Sequence, residues 1–229
     1  GYIEALTREW QPIADMRLSD KDENGSRTMN THLHIIEPYT NLYRVWKTEE
    51  LEKSIRNLLD IFTDKLLNQE TCHLGKRNIE SYGHDIEASW LLHETALVLG
   101  DKEVLHKIER IIRRIADAAD EGLRPDGSMV YEHWKDGDRF DLQRQWWVQC
   151  ENIIGHIDLY QYFRTDENLE VAIRCWNYVA KHLLDLQNGE WHWAILEDGT
   201  VNKEDDKAGF WKCPYHNSRM CLELIERDY

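Results

Sequence analysis

Residues 144–163, RQWWVQCENIIGHIDLYQYF, form a helix-length stretch in which Trp, Glu, Asn and His are interleaved with apolar residues. Stretches of the same kind begin near residues 83 and 214. Residues 102–119, KEVLHKIERIIRRIADAA, are different, because charged residues lie on one face and an apolar stripe on the other. The alternation of these two kinds of helix predicts pairs arranged in two layers, an inner ring and an outer ring.

Helical periodicity recurs along the chain, and connections such as Gly100-Asp101 are short. Since no low-complexity linker divides the sequence, we expect one all-α domain over residues 1–229. Asp-Gly and Asn-Gly pairs favour hairpin turns, and they bracket residues 128–134 and 190–196, which predicts two short β-hairpins. The seven predicted helices cover residues 33–46, 49–67, 83–99, 102–119, 144–163, 168–186 and 216–227.

The composition excludes several kinds of partner. The net charge is −15, from 28 Lys and Arg against 43 Asp and Glu, and no basic block offers a surface for nucleic acid or an anionic membrane. No apolar run approaches the roughly 20 residues that span a bilayer, and the first ten residues lack the apolar core of a signal peptide. The five cysteines show no CxxC spacing, which favours reduced thiols in a cytoplasmic protein over zinc or disulfides.

Four ring-bearing residues mark a candidate site. His34, His84, Trp147 and His216 each lie within about one turn of the start of a presumed inner helix. If the inner helices run parallel, their N-terminal ends converge on one rim, and so do these rings. Ten Trp and ten Tyr against four Phe also suit sugar stacking, although such rings commonly fill gaps between helices.

The polar neighbours of these rings favour acid–base chemistry by histidine. His84 and Glu87 are three residues apart on one helix face, and a His in the first turn of a helix has its pKa lowered by the dipole. Taken singly, each His has a structural explanation. Since GxSxG, GxGxxG and P-loop motifs are absent, we expect no serine nucleophile and no nucleotide cofactor, and since His32 and His34 point apart on a helix, we expect no zinc or other metal.

Four separated segments carry a specific resemblance. NTHLHIIEPYTNLYRVW (30–46), SYGHDIEASWLLHE (81–94), QWWVQCE (145–151) and DKAGFWKCPYHNSRMCLE (206–223) resemble the cellobiose 2-epimerases, within the N-acylglucosamine 2-epimerase superfamily. The resemblance implies an (α/α)6 barrel of twelve helices that interconverts cellobiose and glucosyl-mannose without a cofactor. Because seven helices are too few for that barrel, it also implies an incomplete barrel that lacks an N-terminal portion.

The resemblance further implies roles for individual residues. His84 and His216 match the general acid/base pair, and His34 matches a residue that assists ring opening and proton relay. The substrate-binding or orienting positions are Trp147, Trp211, Asn30, Asp22, Glu87, Glu151 and Arg219. Whether one histidine or two act at C2 is left open.

Three other interpretations remain. The first is another sugar isomerase of the superfamily. The second is a glycoside hydrolase that would pair Glu87 or Asp85 with Glu151. The third is a non-catalytic fragment that binds sugars through its Trp faces.

Overall fold

The computed structural model describes residues 1–17, 24–75 and 78–229. Within these residues the chain folds into seven α-helices and five short strands. The number of α-helices is the number that the sequence predicts. The helices are α1 Met29–Val45, α2 Glu49–Ile61, α3 Tyr82–Leu99, α4 Lys102–Ala119, α5 Trp146–Phe163, α6 Asp166–Tyr178 and α7 Tyr215–Glu226.

Polar side chains fix where several helices begin. The Thr28 hydroxyl accepts from the Thr31 backbone N–H at 3.2 Å, and the Thr48 hydroxyl accepts from Leu51 at 3.3 Å. Asp101 accepts from Glu103 at 2.9 Å and starts α4 at the predicted residue. Such caps satisfy backbone donors that have no partner within the helix.

The helices form the two predicted layers. Inner helices α1, α3, α5 and α7 pack side by side, and outer helices α2, α4 and α6 pack against α1, α3 and α5. Helices α3 and α5 are buried over most of their surface, including polar residues such as Ser89 and Asn152. Helix α4 buries only one stripe, which includes Ile108, Ile112 and Ile115.

The inner helices run in the same direction. Side chains from their first turns meet at one end, where the ring centroids of adjacent pairs lie 4.7 to 6.5 Å apart. At the other end, Arg44 of α1 pairs with Glu94 of α3, and Arg227 after α7 pairs with Asp158 of α5. The prediction of one common N-terminal rim is therefore confirmed for these helices.

Glycines let α3 and α5 approach closely. A Cβ at Gly83 would lie 2.7 Å from both Trp147 Cη2 and Val148 Cγ2. Further along the same interface, a Cβ at Gly155 would lie 2.5 Å from Ile86 Cγ1. These distances are shorter than carbon atoms tolerate, so a larger residue at either position would push the two helices apart.

Short antiparallel strands lie at the rim, because one strand of each sheet leads directly into an inner helix. A three-stranded sheet contains β1 Ile79–Ser81, β2 Glu132–Trp134 and β3 Arg139–Asp141, in that order. Strand β4 Arg144–Gln145 pairs with β5 Ala194–Ile195. The hairpin that turns at Asp136-Gly137 is confirmed as β2–β3.

The second predicted hairpin is smaller than expected. Across the turn at Asn188-Gly189 the chain forms a single β-bridge, Leu184–Trp191, and across the turn at Asp198-Gly199 it forms another, Ile195–Val201. The strand between the two turns, β5, pairs with β4 instead. Gly189 and Gly199 adopt positive φ at these turns, which glycine does without strain. Among the described residues, every helix is too short or too polar to cross a bilayer.

Candidate active site

Rings from four inner helices cluster at the N-terminal rim. The ring centroid of Trp147 is 4.7 Å from that of His84 and 5.4 Å from that of His216. The His34 ring is 6.5 Å from His216 and 5.8 Å from Tyr215. The structure therefore brings together three histidines that are far apart in sequence, around one tryptophan.

His84 is held as a neutral imidazole. Its Nδ1 atom is 2.7 Å from the Ser81 hydroxyl oxygen, in the residue that precedes α3. The pKa of His84 is lowered to about 4, mainly by burial and also by the nearby His34 and His216 rings, against the opposing effect of Glu87 and Glu151. At neutral pH the side chain is therefore uncharged and able to accept a proton.

His216 is oriented by a carboxylate. Its Nδ1 atom is 2.7 Å from Glu151 Oε1, while the Trp90 indole N–H donates to Glu151 Oε2 at 3.0 Å. Burial works to raise the pKa of Glu151, but Arg219 and His216 outweigh it and hold that pKa below its ordinary value. An ionised Glu151 favours the tautomer in which His216 Nδ1 carries the proton and Nε2 is free.

Arg219 joins the carboxylates behind the rings. Its Nη2 atom donates to Glu87 at 2.6 Å and to Glu151 at 2.7 Å, and its Nη1 atom lies 2.8 Å from Glu37. The Tyr215 hydroxyl bonds to the same Glu37 carboxylate. Although burial disfavours the charged guanidinium, these three carboxylates keep the pKa of Arg219 above its ordinary value.

The same cluster has the composition of a metal site, but a cationic side chain already binds its carboxylates. Ligand atoms of Glu87, Glu151 and His216 all lie within 4.8 Å of one another. The Arg219 guanidinium bonds to both carboxylates, so it supplies the positive charge that a metal ion would otherwise bring. The donor set therefore fits an ion-paired support for His216.

Other predicted site residues lie around the cluster or outside it. Asn30 is exposed in the first turn of α1, one turn before His34. Trp211 is 40% exposed in the loop before α7, and its ring packs edge-on against Phe210 at 5.0 Å. Within residues 1–17, 24–75 and 78–229, no ring contact joins Trp211 to the three histidines. Asp22 lies outside the described residues.

Asp85, the neighbour of His84, faces away from the rings. Its Oδ2 atom is 2.7 Å from His73 Nδ1, and its Oδ1 atom accepts from the Leu74 backbone N–H at 2.8 Å. Burial raises the pKa of Asp85 to about 6. This carboxylate ties the loop that precedes β1 to α3, and it does not oppose Glu151.

Sequence reasoning missed several residues that support the rings. Trp90, Tyr215 and Glu37 are hydrogen-bonded to the Glu151–Arg219 cluster, and none was singled out for a role. A signal existed for Glu37, which lies three residues after His34 on the same helix face. No local pattern marks Trp90, because its partner Glu151 comes from another helix.

Comparison with known proteins now identifies the family. The model of the N-acylglucosamine 2-epimerase (GlcNAc 2-epimerase) family matches residues 3–219. The chain belongs to this family. The resemblance read from the four sequence segments is thus confirmed, and the two layers of helices are those of an (α/α)6 barrel, to which the described residues contribute seven helices.

Individual epimerases of the family are similar over nearly the whole chain. The chain is 53% identical to a cellobiose 2-epimerase of Bacteroides fragilis, over 98% of its own length and 60% of that protein. It matches the structure of a sugar epimerase from a ruminal bacterium with a TM-score of 0.92 and 33% identity, covering 100% of this chain and 61% of that one. It matches cellobiose 2-epimerase from Bacillus thermoamylovorans with a TM-score of 0.87 and 38% identity, covering 96% and 58%. This epimerase-family chain therefore spans about 60% of the length of these relatives.

Proposed function

We propose that this epimerase-family protein is a cellobiose 2-epimerase, which interconverts cellobiose and 4-O-β-glucosyl-mannose without a cofactor. The observation that carries the proposal is the meeting of His84, His216 and His34, from three inner helices, around the Trp147 ring. The names of the similar proteins supply the substrate class, a β-1,4-linked disaccharide.

Proton abstraction from C2 is the first chemical requirement. Opening of the reducing-end ring, in which His34 assists, places C2 beside an aldehyde, and the C2 proton then becomes acidic. His84 removes that proton, because an uncharged imidazole at the rim is a base at neutral pH. The product of this step is an enediolate.

Return of a proton to the opposite face completes the epimerisation. His216, on a different helix from His84, fills this role as an imidazolium, whose Nδ1–H donates to Glu151 while its Nε2 proton goes to C2. The alternative is that His84 alone acts on both faces after rotation about the C2–C3 bond. Trp147, Trp211, Asn30 and Asp22 bind the sugar in either case.

The geometry gives the hydrolase interpretation little support. A glycoside hydrolase needs two carboxyl groups that flank the scissile bond, at least about 5 Å apart. Glu87 and Glu151 instead bind the same Nη2 atom of Arg219, and Asp85 binds His73. These carboxylates are engaged in internal ion pairs.

We further propose a single domain over residues 1–229 in a cytoplasmic protein. One continuous hydrophobic cluster includes residues from α1 to α7, which supports the single domain. All five cysteines are unpaired, which supports a reducing compartment. The net charge of −15 continues to argue against nucleic acid as a partner.

Incubation of the full-length protein with cellobiose in heavy water tests the proposal. We expect deuterium at C2, formation of glucosyl-mannose and no free glucose. Release of glucose would instead support hydrolysis, and a ketose as the main product would support another isomerase of the family. A protein that binds cellobiose without any C2 exchange would contradict the proposed activity.

A further inference from the structure

In a neutral imidazole one ring nitrogen carries a proton and the other can accept one, so the partner of one nitrogen affects the basicity of the other. The Nδ1 atom of His84 has a defined partner. It lies 2.7 Å from the hydroxyl oxygen of Ser81, the last residue of strand β1. A hydroxyl can donate to Nδ1 or accept from it, so this contact alone does not decide which ring nitrogen carries the proton. The answer depends on where the hydroxyl proton of Ser81 points.

The neighbouring strand supplies that information. Ser81 is paired with Glu132 of β2 in the antiparallel register, and the Glu132 side chain is buried. Directly paired residues of antiparallel strands project from the same face of the sheet, so the Glu132 carboxylate lies beside the Ser81 hydroxyl. Hydrogen bonding by the side chains of Ser81, Tyr131 and Trp134 opposes the rise in the pKa of Glu132. The hydroxyl has only one proton, so when it donates to Glu132, His84 Nδ1–H donates to the hydroxyl oxygen.

We propose that Glu132, acting through the Ser81 hydroxyl, sets the tautomer of His84 and exchanges a proton with its Nδ1 atom during catalysis. The proposal rests on the proposed epimerase function. It makes Ser81 and Glu132 positioning residues, because neither needs to touch the sugar. While Glu132 is ionised, Nε2 is the unprotonated nitrogen that can act as a base.

The proton transfers balance in both directions. As the C2–H bond breaks, its electron pair enters the enediolate and its proton goes to Nε2 of His84. The Nδ1 proton passes to the Ser81 oxygen, and the hydroxyl proton of Ser81 passes to the Glu132 carboxylate. The negative charge thus moves from Glu132 to the enediolate, and His84 stays neutral throughout. Once His216 has protonated C2, the Nε2 proton of His84 leaves to solvent, His216 takes up a proton from solvent, and the transfers through Ser81 reverse, which restores the starting state. If His84 acts alone on both faces, its Nε2 proton returns to C2 instead.

The order of the proton affinities supports this path. Burial raises the pKa of Glu132 to about 7, with a smaller contribution from Asp141, against the lowering effect of its hydrogen-bond donors. Burial lowers the pKa of His84 to about 4. A proton that enters the chain is therefore more stable on Glu132 than as a second proton on the imidazole.

Other charged groups also face His84 and Glu132. Glu87, Glu151, His34 and His216 face His84, and their effects on its pKa oppose one another. Asp141 of β3 is the charged group that faces Glu132 from the adjacent strand. None of these groups hydrogen-bonds to Ser81 in the described part of the chain, so the hydroxyl is the link between the two sites.

Nitrogen-15 NMR of the His84 ring tests the link without any turnover. In the full-length protein above about pH 8, Nδ1 should carry the proton. As the pH falls through about 7, Glu132 takes up a proton and donates to the hydroxyl, which then donates to Nδ1. The two nitrogen signals should therefore exchange their protonated and unprotonated positions, while the ring stays uncharged. In Glu132→Gln this exchange near pH 7 should be lost.

The pH profile of C2 exchange provides the kinetic test. The kcat/KM of the wild type should rise as the pH increases through about 7, because ionised Glu132 selects the basic tautomer. Glu132→Gln and Ser81→Ala should lose that dependence and roughly 10²-fold in kcat. Ser81→Thr, which keeps the hydroxyl in a strand position, should restore both.

Glu80→Gln is the matched control. Glu80 is the preceding residue of β1 and a buried carboxylate, but it pairs with His133 and Lys135 instead of Ser81. Its substitution should leave the pH profile unchanged. A wild-type His84 tautomer that does not change near pH 7, or an unaltered profile in Glu132→Gln, would overturn the relay. If the tautomer changes as predicted but no C2 exchange occurs, the relay stands and the epimerase function fails.

Discussion

At the scale of single residues, the site depends on two buried carboxylates, Glu151 and Glu132, whose pKa values are shifted in opposite directions. Glu151 is kept ionised because Arg219 and His216 share its buried environment. Within residues 1–17, 24–75 and 78–229 no cation pairs with Glu132, and burial raises its pKa to about 7. The two carboxylates therefore suit different tasks, one as a fixed negative charge and one as a group that exchanges a proton.

The raised pKa of Glu132 has a consequence for stability. The native state binds the proton more tightly than the unfolded chain, where the pKa is near 4.5. The stabilisation is therefore complete below about pH 4.5 and is lost as the pH rises through about 7. One pKa unit corresponds to about 1.4 kcal/mol, so the total is about 3 kcal/mol.

Glu132→Gln should accordingly gain stability relative to the wild type as the pH increases. We expect the difference in free energy of unfolding to change by about 3 kcal/mol in favour of the variant between about pH 4 and pH 8. Urea unfolding of both proteins across this range measures it. A difference that is constant with pH would mean that Glu132 titrates normally in the folded protein.

At the scale of secondary structure, the sequence predicted helices well where a local signal fixed their ends. Asp101 caps α4, which begins at the predicted residue. Helix α1 begins four residues earlier than predicted, because Thr28 serves as an unrecognised cap. Predicted helices 49–67 and 168–186 include the π-helical turns Phe62–Leu66 and Val179–Leu183, which are too short to change the apolar periodicity.

The contact between α3 and α5 yields a prediction about glycine. Gly83→Ala would place a methyl group against Trp147, between the helix that carries His84 and the helix that carries Glu151. We expect a loss of about 1–3 kcal/mol in unfolding free energy from overpacking, together with reduced C2 exchange at temperatures where the protein is folded.

Gly155→Ala is the matched control for this effect. It creates the same kind of clash, against Ile86, further from the rim. The control should lose comparable stability but retain most of its exchange activity. Equal activity losses in the two variants would show that the position of the His84–Trp147 contact is unimportant.

At the scale of the whole molecule, the two ends of the inner layer have different roles. The N-terminal rim holds the histidines, while the opposite end holds structural ion pairs. There, Asp158 is 2.6 Å from His93 Nδ1 and accepts from Arg227 at 2.9 Å. Arg44 and Glu94 form a second pair at that end.

Arg227→Met tests this division. The substitution leaves Asp158 buried without its guanidinium partner, which typically costs about 3 kcal/mol. Stability should fall by that amount in chemical denaturation, while C2 exchange by the folded protein should stay near the wild-type rate. Arg110→Met, at an exposed position of α4, should change stability by less than about 0.5 kcal/mol. Loss of exchange in folded Arg227→Met would contradict the separation.

The sequence predicted only those residues of the candidate site that lie near the start of a helix. His34, His84, Trp147 and His216 could be found because each lies near the beginning of an inner helix, and parallel helices bring such residues together. Ser81 and Glu132 could not be linked, because strand register is decided by tertiary packing. The two hydrogen bonds from Arg219 to Glu87 and Glu151 could not be predicted either, because they depend on the spacing of three helices.

The central claim is that the His84 and His216 imidazoles serve one sugar carbon. The most direct test measures deuterium incorporation at C2 of cellobiose by full-length His84→Asn and His216→Asn, each verified as folded by circular dichroism. Both variants should lose at least about 10²-fold in exchange rate while still binding the sugar. If either variant kept more than a few per cent of wild-type exchange, that histidine would not be part of the proton-transferring pair.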